Sequence, residues 1–468
     1  MRKTLRGVIV CLLLMALAWG CAGPPAARDS SLSAGQAASR GSASAWLAAR
    51  ERQAHLPVLG ANAAVNDYLE YAALNNPALE AAFNRWKSAL ETIPQETALP
   101  DPQLSLTYYI EQVERRGATQ LTVSQAFPWF GKLALRGGKA WEEAEAARER
   151  LEAERLRVAY EVQEAYYEYY YVSRAASVVQ DMKDVMKYLT DAVRTRYAVA
   201  ASEHPDVIRA QVELGQLEDQ LRTLKDMRTP AVARVNAALN RPVSTDLPQP
   251  VEPSNEAVDV SEEQVLAWLR ESNPELAALR HEIAREDQSV ALAHKEYYPD
   301  VMVGVGFMEM GEDDQAGMMQ GQKDQVMLMT SVNLPIWRSK LEAGVRGAEA
   351  TRAAAAAMYA DRENALCNEA KLTSFRLRDA QRKMNLYRDT LIPMARQSLK
   401  ASQTAFETGK ASFLDILDAE RALLEFQLSY ERARADRAEQ IARLEMLAGR
   451  ALPRAAKSAP GESKPKAE

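Results

Sequence analysis

Seven of the sixteen methionines in this 468-residue chain fall between residues 302 and 329. Met302, Met308 and Met310 have the opposite parity to Val301, Val303, Val305 and Phe307, and Met327 and Met329 alternate with Val326 and Leu328. Successive side chains of an extended strand point to opposite faces, so these five thioethers share the face away from the valines. Soft thioethers select Cu(I) and Ag(I) over harder ions, which makes the five candidate soft-metal contacts. Methionine also fills irregular apolar space, and that plainer use stays open. Met318 and Met319, with Glu309, Glu312, Asp313 and Asp314 nearby, read as part of a solvated loop.

Other reactive residues form no constellation. His55, His204, His281 and His294 show no ligand spacing, and no GxSxG, HExxH, phosphate-binding glycine loop or CxxC occurs. Gly304-Val305-Gly306 belongs to a strand and lacks the rest of a nucleotide fingerprint. The expectation is a protein that is not an enzyme, with no cofactor and no firm metal site. A net charge of -6 and the absence of a basic block argue against nucleic acid. Cys11, Cys21 and Cys367 offer no disulfide framework. The run Tyr166, Tyr167, Tyr169, Tyr170, Tyr171 reads as packing between helices.

The elements that would position these residues come twice. Asn76-Pro77-Ala78-Leu79 recurs as Asn273-Pro274-Glu275-Leu276, the SQAFP segment at 124–128 as SVNLP at 331–335, and Asp206-Val207-Ile208 as Asp415-Ile416-Leu417. The offsets are 197, 207 and 209 residues, which points to a duplicated half of about 200 residues. Each half carries two alternating stretches. Leu104, Leu106, Tyr108 and Ile110 share one face, as do Leu121, Val123 and Phe127, with a turn expected near Arg115-Arg116-Gly117. In the second half Val326, Leu328, Thr330, Val332 and Leu334 share a face. Each strand is expected to run about nine to eleven residues, the length a tilted strand needs to cross a bilayer.

After Pro128 and again after Pro335 the pattern turns helical for roughly 70 residues, on the order of 100 Å at 1.5 Å per residue. Val158, Val162, Ala165, Tyr169, Val172, Ala176 and Val179 are spaced by fours and threes, the mark of coiled-coil packing. Met182, Met186, Leu189 and Val193 follow after a change of phase. Interruptions at 198–205 and 408–412 precede returning helices. Their seams, Val207, Ala210, Leu214, Leu217, Leu221, Leu224 and Ile416, Ala419, Leu423, Phe426, Tyr430, Ala433, coincide at an offset of 209. Each half thus ends in a helical hairpin with an exposed tip. Pro-rich residues 229–255 read as a connector, and Ser261-Glu262-Glu263-Gln264 as a capping box.

Four strands cannot close a barrel, and an open sheet edge facing lipid leaves backbone groups unpaired at several kcal/mol each. Three copies would supply twelve strands, within the range of outer-membrane barrels. The fold class expected is therefore mainly α with a small membrane β-barrel part. In it, a trimer forms a 12-stranded barrel on an α-helical tube.

With these halves, the chain resembles the TolC-type outer-membrane efflux proteins over residues 62–450. The resemblance rests on Tyr297-Tyr298-Pro299-Asp300, on Asn333-Leu334-Pro335-Ile336-Trp337, and on the tip segment Phe406-Glu407-Thr408-Gly409-Lys410-Ala411-Ser412-Phe413-Leu414-Asp415-Ile416-Leu417-Asp418. Gln125-Ala126-Phe127-Pro128-Trp129-Phe130-Gly131-Lys132 is similar to the heavy-metal efflux members. What this implies is a homotrimer in outer-membrane lipid whose tips, Phe406 and Gly409 included, form the periplasmic entrance. The tips would dock a periplasmic adaptor coupled to an inner-membrane RND-type pump. Asp415 and Asp418 match two acids that line the constriction in that family. Three copies would focus cations with up to six carboxylates. Capping the helix start is the plainer use of these acids. The first tip departs from the pattern, with Ala200 for Gly409 and Arg209 three residues past Asp206. Heavy-metal cations are the cargo this implies. Organic compounds or secreted polypeptides are alternatives, and a periplasmic coiled-coil scaffold lipoprotein is a rival of another class.

Residues 1–20 read as a signal peptide, with a basic start and a short apolar run. Cys21 at its end resembles a bacterial lipoprotein cleavage site, so Cys21 would be lipidated; ordinary cleavage that removes it is the alternative. The expected organisation is a tether over 21–61, a first repeat over 62–240, a connector over 241–260, a second repeat over 261–450 and a disordered tail over 451–468.

Overall fold

The computed structural model describes residues 56–108, 119–198, 203–256, 258, 260–309 and 325–454. The signal peptide, Cys21, the Arg115 turn, Ala200, Met310, Met318 and Met319 lie outside the described residues. The first half comprises α1 (Val65–Asn75), α2 (Pro77–Thr97), β1 (Gln103–Tyr108), β2 (Thr119–Phe127), α3 (Lys132–Ala198) and α4 (His204–Ala238). In the second half α5 (Glu262–Ser272) and α6 (Pro274–Lys295) precede β3 (Val301–Glu309) and β4 (Gln325–Val332). There follow α7 (Arg338–Leu386), a π-turn (Tyr387–Leu391), α8 (Ile392–Glu407) and α9 (Phe413–Ala448). The duplication therefore holds element by element, and the fold is mainly helical with one small antiparallel sheet.

The chain divides into two compact units. One, comprising residues 87–144 and 283–353 among those described, holds the sheet. Its strands lie in the order β1-β2-β3-β4, all antiparallel. Central β2 and β3 are paired on both sides, while among the described residues β1 and β4 are each paired on one side only. The described parts of the strands have six, nine, nine and eight residues, and each strand runs up to residues outside those described. Leu334, expected on a strand face, lies beyond β4 and is exposed. Pro335 follows and cannot donate to a ladder.

The other unit, residues 56–86, 145–282 and 354–454 among those described, is built from helices packed along the expected seams. Val158, Val162, Ala165, Tyr169, Val172 and Val179 are buried, as are Met182, Met186, Leu189 and Val193. The last four join Val207, Ala210, Leu217 and Leu221 of α4 and Ile416, Ala419 and Leu423 of α9 in one cluster. Tyrosines of the 166–171 run pack as expected: Tyr166 donates to and accepts from the Val251 backbone, and Tyr169 donates to Pro248 O at 3.1 Å.

The repeated Asn-Pro motif acquires a reason here. Asn76 accepts from Ala78 N at 2.8 Å and donates through Nδ2 to Ala238 O at 3.1 Å. Asn273 accepts from Glu275 N and donates to Leu447 O, both at 2.9 Å. In each half one asparagine caps the second helix and ties it to the end of the last. The residues after those ends are again equivalent, Asn240 (φ 55°) and Gly449 (φ 71°), both left-handed. Asn240 donates to Asn75 O at 3.1 Å. A Cβ on Gly449 would sit 2.2 Å from Ser272 O, so only glycine fits.

Three details differ from the sequence reading. Helix α4 continues through Pro230 to Ala238, although residues 229–255 read as connector. Burial of Ala231, Val232 and Val235 outweighs the backbone bond that the proline removes. At the other end of the chain, Leu452 is buried and Arg454 pairs with Val258, so residues 451–454 are packed rather than tail. Finally, α3 is an unbroken α-helix of 67 residues, whereas its counterpart contains the π-turn. Partly or fully buried positions step by fours and threes from Leu366 through Ala370, Thr373, Leu377, Ala380, Met384 and Tyr387. The next residue of the apolar cluster is Ile392, five on and past half-buried Leu391, and Ala395 and Leu399 follow. One extra residue has been absorbed, as π-turns do.

Candidate functional site

Strand register sorts the sheet into two faces. Leu104, Leu106, Leu121, Val123, Val303, Val305, Val326 and Leu328 share one face through direct pairings such as Leu106 with Leu121 and Val305 with Leu328. The opposite face carries Ser105, Thr122, Ser124, Gly304, Gly306 and the methionines. Parity reasoning thus placed Met302, Met308, Met327 and Met329 on a common face correctly. Met327 pairs with Gly306 and Met329 with Gly304, while Met302 and Met308 pair with Ser331 and Gln325. Met308 is therefore diagonal to Met327, and Met302 to Met329, positions about 7–8 Å apart in an antiparallel pair. The methyl of Met327 lies 3.5 Å from where a Gly306 Cβ would stand, so the missing side chain leaves it room. Four thioethers in two diagonal pairs make a stripe of soft donor atoms with the spacing of no closed chelate. No group of three or more His, Cys, Asp or Glu suited to a metal ion occurs among the described residues.

The acids sit at the tip between α8 and α9. Gly409 takes φ 72°, and its N–H donates to Phe406 O at 3.0 Å, which closes α8. Ser412 then caps α9. Asp415 N donates to Ser412 Oγ at 3.3 Å, and Asp415 Oδ2 accepts from Ser412 N at 2.8 Å and Ser412 Oγ at 2.9 Å. Asp415 is thus engaged in a capping box, the plainer role the sequence left open. Asp418 is exposed, with Arg421 4.0 Å away. Phe406 packs on Phe413 at 5.8 Å, and the Arg196 guanidinium lies 4.6 Å from the Phe406 ring centre. Arg196 also donates to Phe406 O at 3.1 Å, a cation at the negative end of a helix. The first tip is different: Arg209 pairs with Asp206 at 3.3 Å, so an ion pair occupies the place of the two acids.

Sequence reasoning missed a third cluster, at the helix and strand ends of the sheet unit. Lys132 is 1% exposed, and its Nζ lies 3.0 Å from Asp300 Oδ1 and donates to Tyr298 O at 3.3 Å. Asp300 Oδ1 also accepts from Trp129 N at 2.7 Å, and Trp129 stacks on Tyr298 at 5.5 Å. Asp300 O accepts from Asn333 N at 3.2 Å. The motifs around Trp129, Asp300 and Asn333 are therefore one clasp holding the ends of β2, β3 and β4. The signal was present as a lysine inside an aromatic run.

The sequence signature of the outer membrane efflux protein family matches residues 68–241 and 265–450. The cobalt-zinc-cadmium resistance protein CzcC of Cupriavidus metallidurans is 23% identical over 374 residues, 77% of this chain and 84% of that protein. The outer membrane protein VceC of Vibrio cholerae superposes with a TM-score of 0.69 at 20% identity, over 83% of this chain and 96% of that one. CusC, described in terms of transmembrane channel formation, superposes with a TM-score of 0.71 at 16% identity, over 84% of this chain and 97% of that one. These likenesses establish a shared fold.

Proposed function

The chain belongs to the outer membrane efflux protein family, and we propose on that premise that it is the passive exit duct of a tripartite efflux system. In this reading three copies form one outer-membrane channel with periplasmic helices. Their tips meet a periplasmic adaptor coupled to an inner-membrane RND-type pump, which supplies the energy. Acylation of Cys21 would add a lipid anchor. The observation that carries the proposal is the sheet: one face is apolar and largely exposed, and among the described residues both edge strands have an unpaired side. A lone sheet of that kind in lipid strands its edge groups; twelve strands from three chains close it. Among the described residues no helix is long and apolar enough to cross a membrane, so the sheet is the spanning candidate.

The cargo we propose is heavy-metal cations. Support comes from the resistance protein it resembles, from exposed Asp418 at the tip, and from the thioether stripe on the polar sheet face. Open sites of this kind suit a conduit, which must release what it attracts. Purified protein added to planar bilayers should give stepwise conductance and run as a trimer in detergent. A monomer that forms no pores would overturn the duct and favour an envelope scaffold.

A further inference from the structure

Glu420 lies in α9, five residues beyond Asp415, or roughly 7 Å along the helix at 1.5 Å per residue. Unlike Asp415 and Asp418 it is buried, 2% exposed, and neither carboxyl oxygen has a hydrogen-bond partner. Its helix neighbours Ile416, Leu417, Ala419 and Leu423 belong to the apolar cluster that joins α9 to α4. α4 contributes Glu213, also buried, but the Arg421 guanidinium binds Glu213, with Nε donating to Oε2 at 2.9 Å. On α9 itself the charged groups are Arg421 and, beside it, Asp418. α3 and α8 bring Met186, Leu189, Val193 and Leu399 to the apolar cluster, and among the described residues the charges that act on Glu420 are those of Glu213 and Arg421. Arg421, the nearby cation among the described residues, is thus committed to Glu213. At the equivalent position of the first half, 209 residues earlier, stands exposed Gln211.

We propose that Glu420 is a proton-operated latch between the two hairpins. Neutral, it lets the start of α9 pack on α4; ionised, it loosens that packing and opens the entrance. An unpaired buried carboxylate is too costly to keep, so either the proton or the packing must yield. Burial first, and the Glu213 charge second, push the Glu420 carboxyl up from 4.5 to about 8. Between those two values the packed state keeps a proton that the loosened, hydrated state gives up. Packing is therefore fully favoured below about pH 4.5, weakens as pH rises through the window, and levels off above about 8. The ratio of loosened to packed hairpins should rise by up to about tenfold per pH unit within it.

The opening step rests on the duct reading, so two readouts are needed. Spin labels at exposed Gln211 and Glu425, in a Cys367→Ala chain diluted with unlabelled chain, report the hairpin separation without any membrane. Planar-bilayer conductance with periplasmic-side pH stepped from about 6 to about 9 reports the entrance. Wild type should show both a longer separation and a higher open probability at high pH, and the isosteric, uncharged E420Q should flatten both responses to under about twofold. A wild-type pH response that persists in E420Q, or a separation that pH leaves unchanged, would overturn the latch. Label movement without conductance would uphold the latch and overturn the duct.

Discussion

Asp415 and Asp418 looked alike in sequence and do different things. Asp415 spends its carboxylate on Ser412, whereas Asp418 is directed to solvent. If the tip is a cation-focusing entrance, block by multivalent cations from the periplasmic side should weaken more in Asp418→Ala than in Asp415→Ala. The latter should chiefly cost about 1 kcal/mol of helix stability through the lost cap. Single-channel block constants and thermal melts separate the two effects; equal block in wild type and Asp418→Ala would remove the acidic ring. The thioether face was legible because strand parity is a rule of geometry. Glu420 and Lys132 were not, since a charge in a helical or aromatic run is solvated unless tertiary packing closes over it. Only their 2% and 1% exposure reveals that it does.

Among the elements, the seams and both caps could be read because four-three spacing and capping residues are local. The reading of 229–238 as connector and of 451–454 as tail failed for the complementary reason: α4 outlasts Pro230, and Leu452 is fixed, through contacts distant in sequence. The π-turn was not legible, because Leu391 and Ile392 are both apolar and allow a step of four from Tyr387 as readily as one of five. Asn76 and Asn273 perform one task in two places, each joining the start of one helix to the end of another. Replacing either by Ala should cost about 1–3 kcal/mol, because a buried carbonyl and a helix start lose their partner together. Asn→Asp at the same positions keeps the acceptor and loses the donor, so it should not restore the wild-type melt. A loss confined to one half would show that the duplication no longer carries equivalent loads.

For the molecule as a whole, the halves agree in plan and differ where selectivity would reside. One tip has two acids and the other an ion pair; one hairpin of strands is methionine-rich in its described part and the other free of methionine there. Metal efflux predicts that deleting the gene lowers tolerance to cobalt, zinc, copper or silver, measured as growth inhibition. Unchanged tolerance to all four, with new sensitivity to dyes or detergents, would reassign the cargo to organic compounds. The π-turn adds a difference of another kind. A helix advances about 100° per residue, so one residue more would turn everything after it, Phe406 and Glu407 included, by that angle; the wider turn at Tyr387–Leu391 takes the residue up and keeps Ala395 and Leu399 on the buried face. Which face the second tip presents is thereby kept some fifteen residues upstream of it. A lineage could gain or lose a single residue there without re-aiming the tip, provided the turn widens or tightens with it.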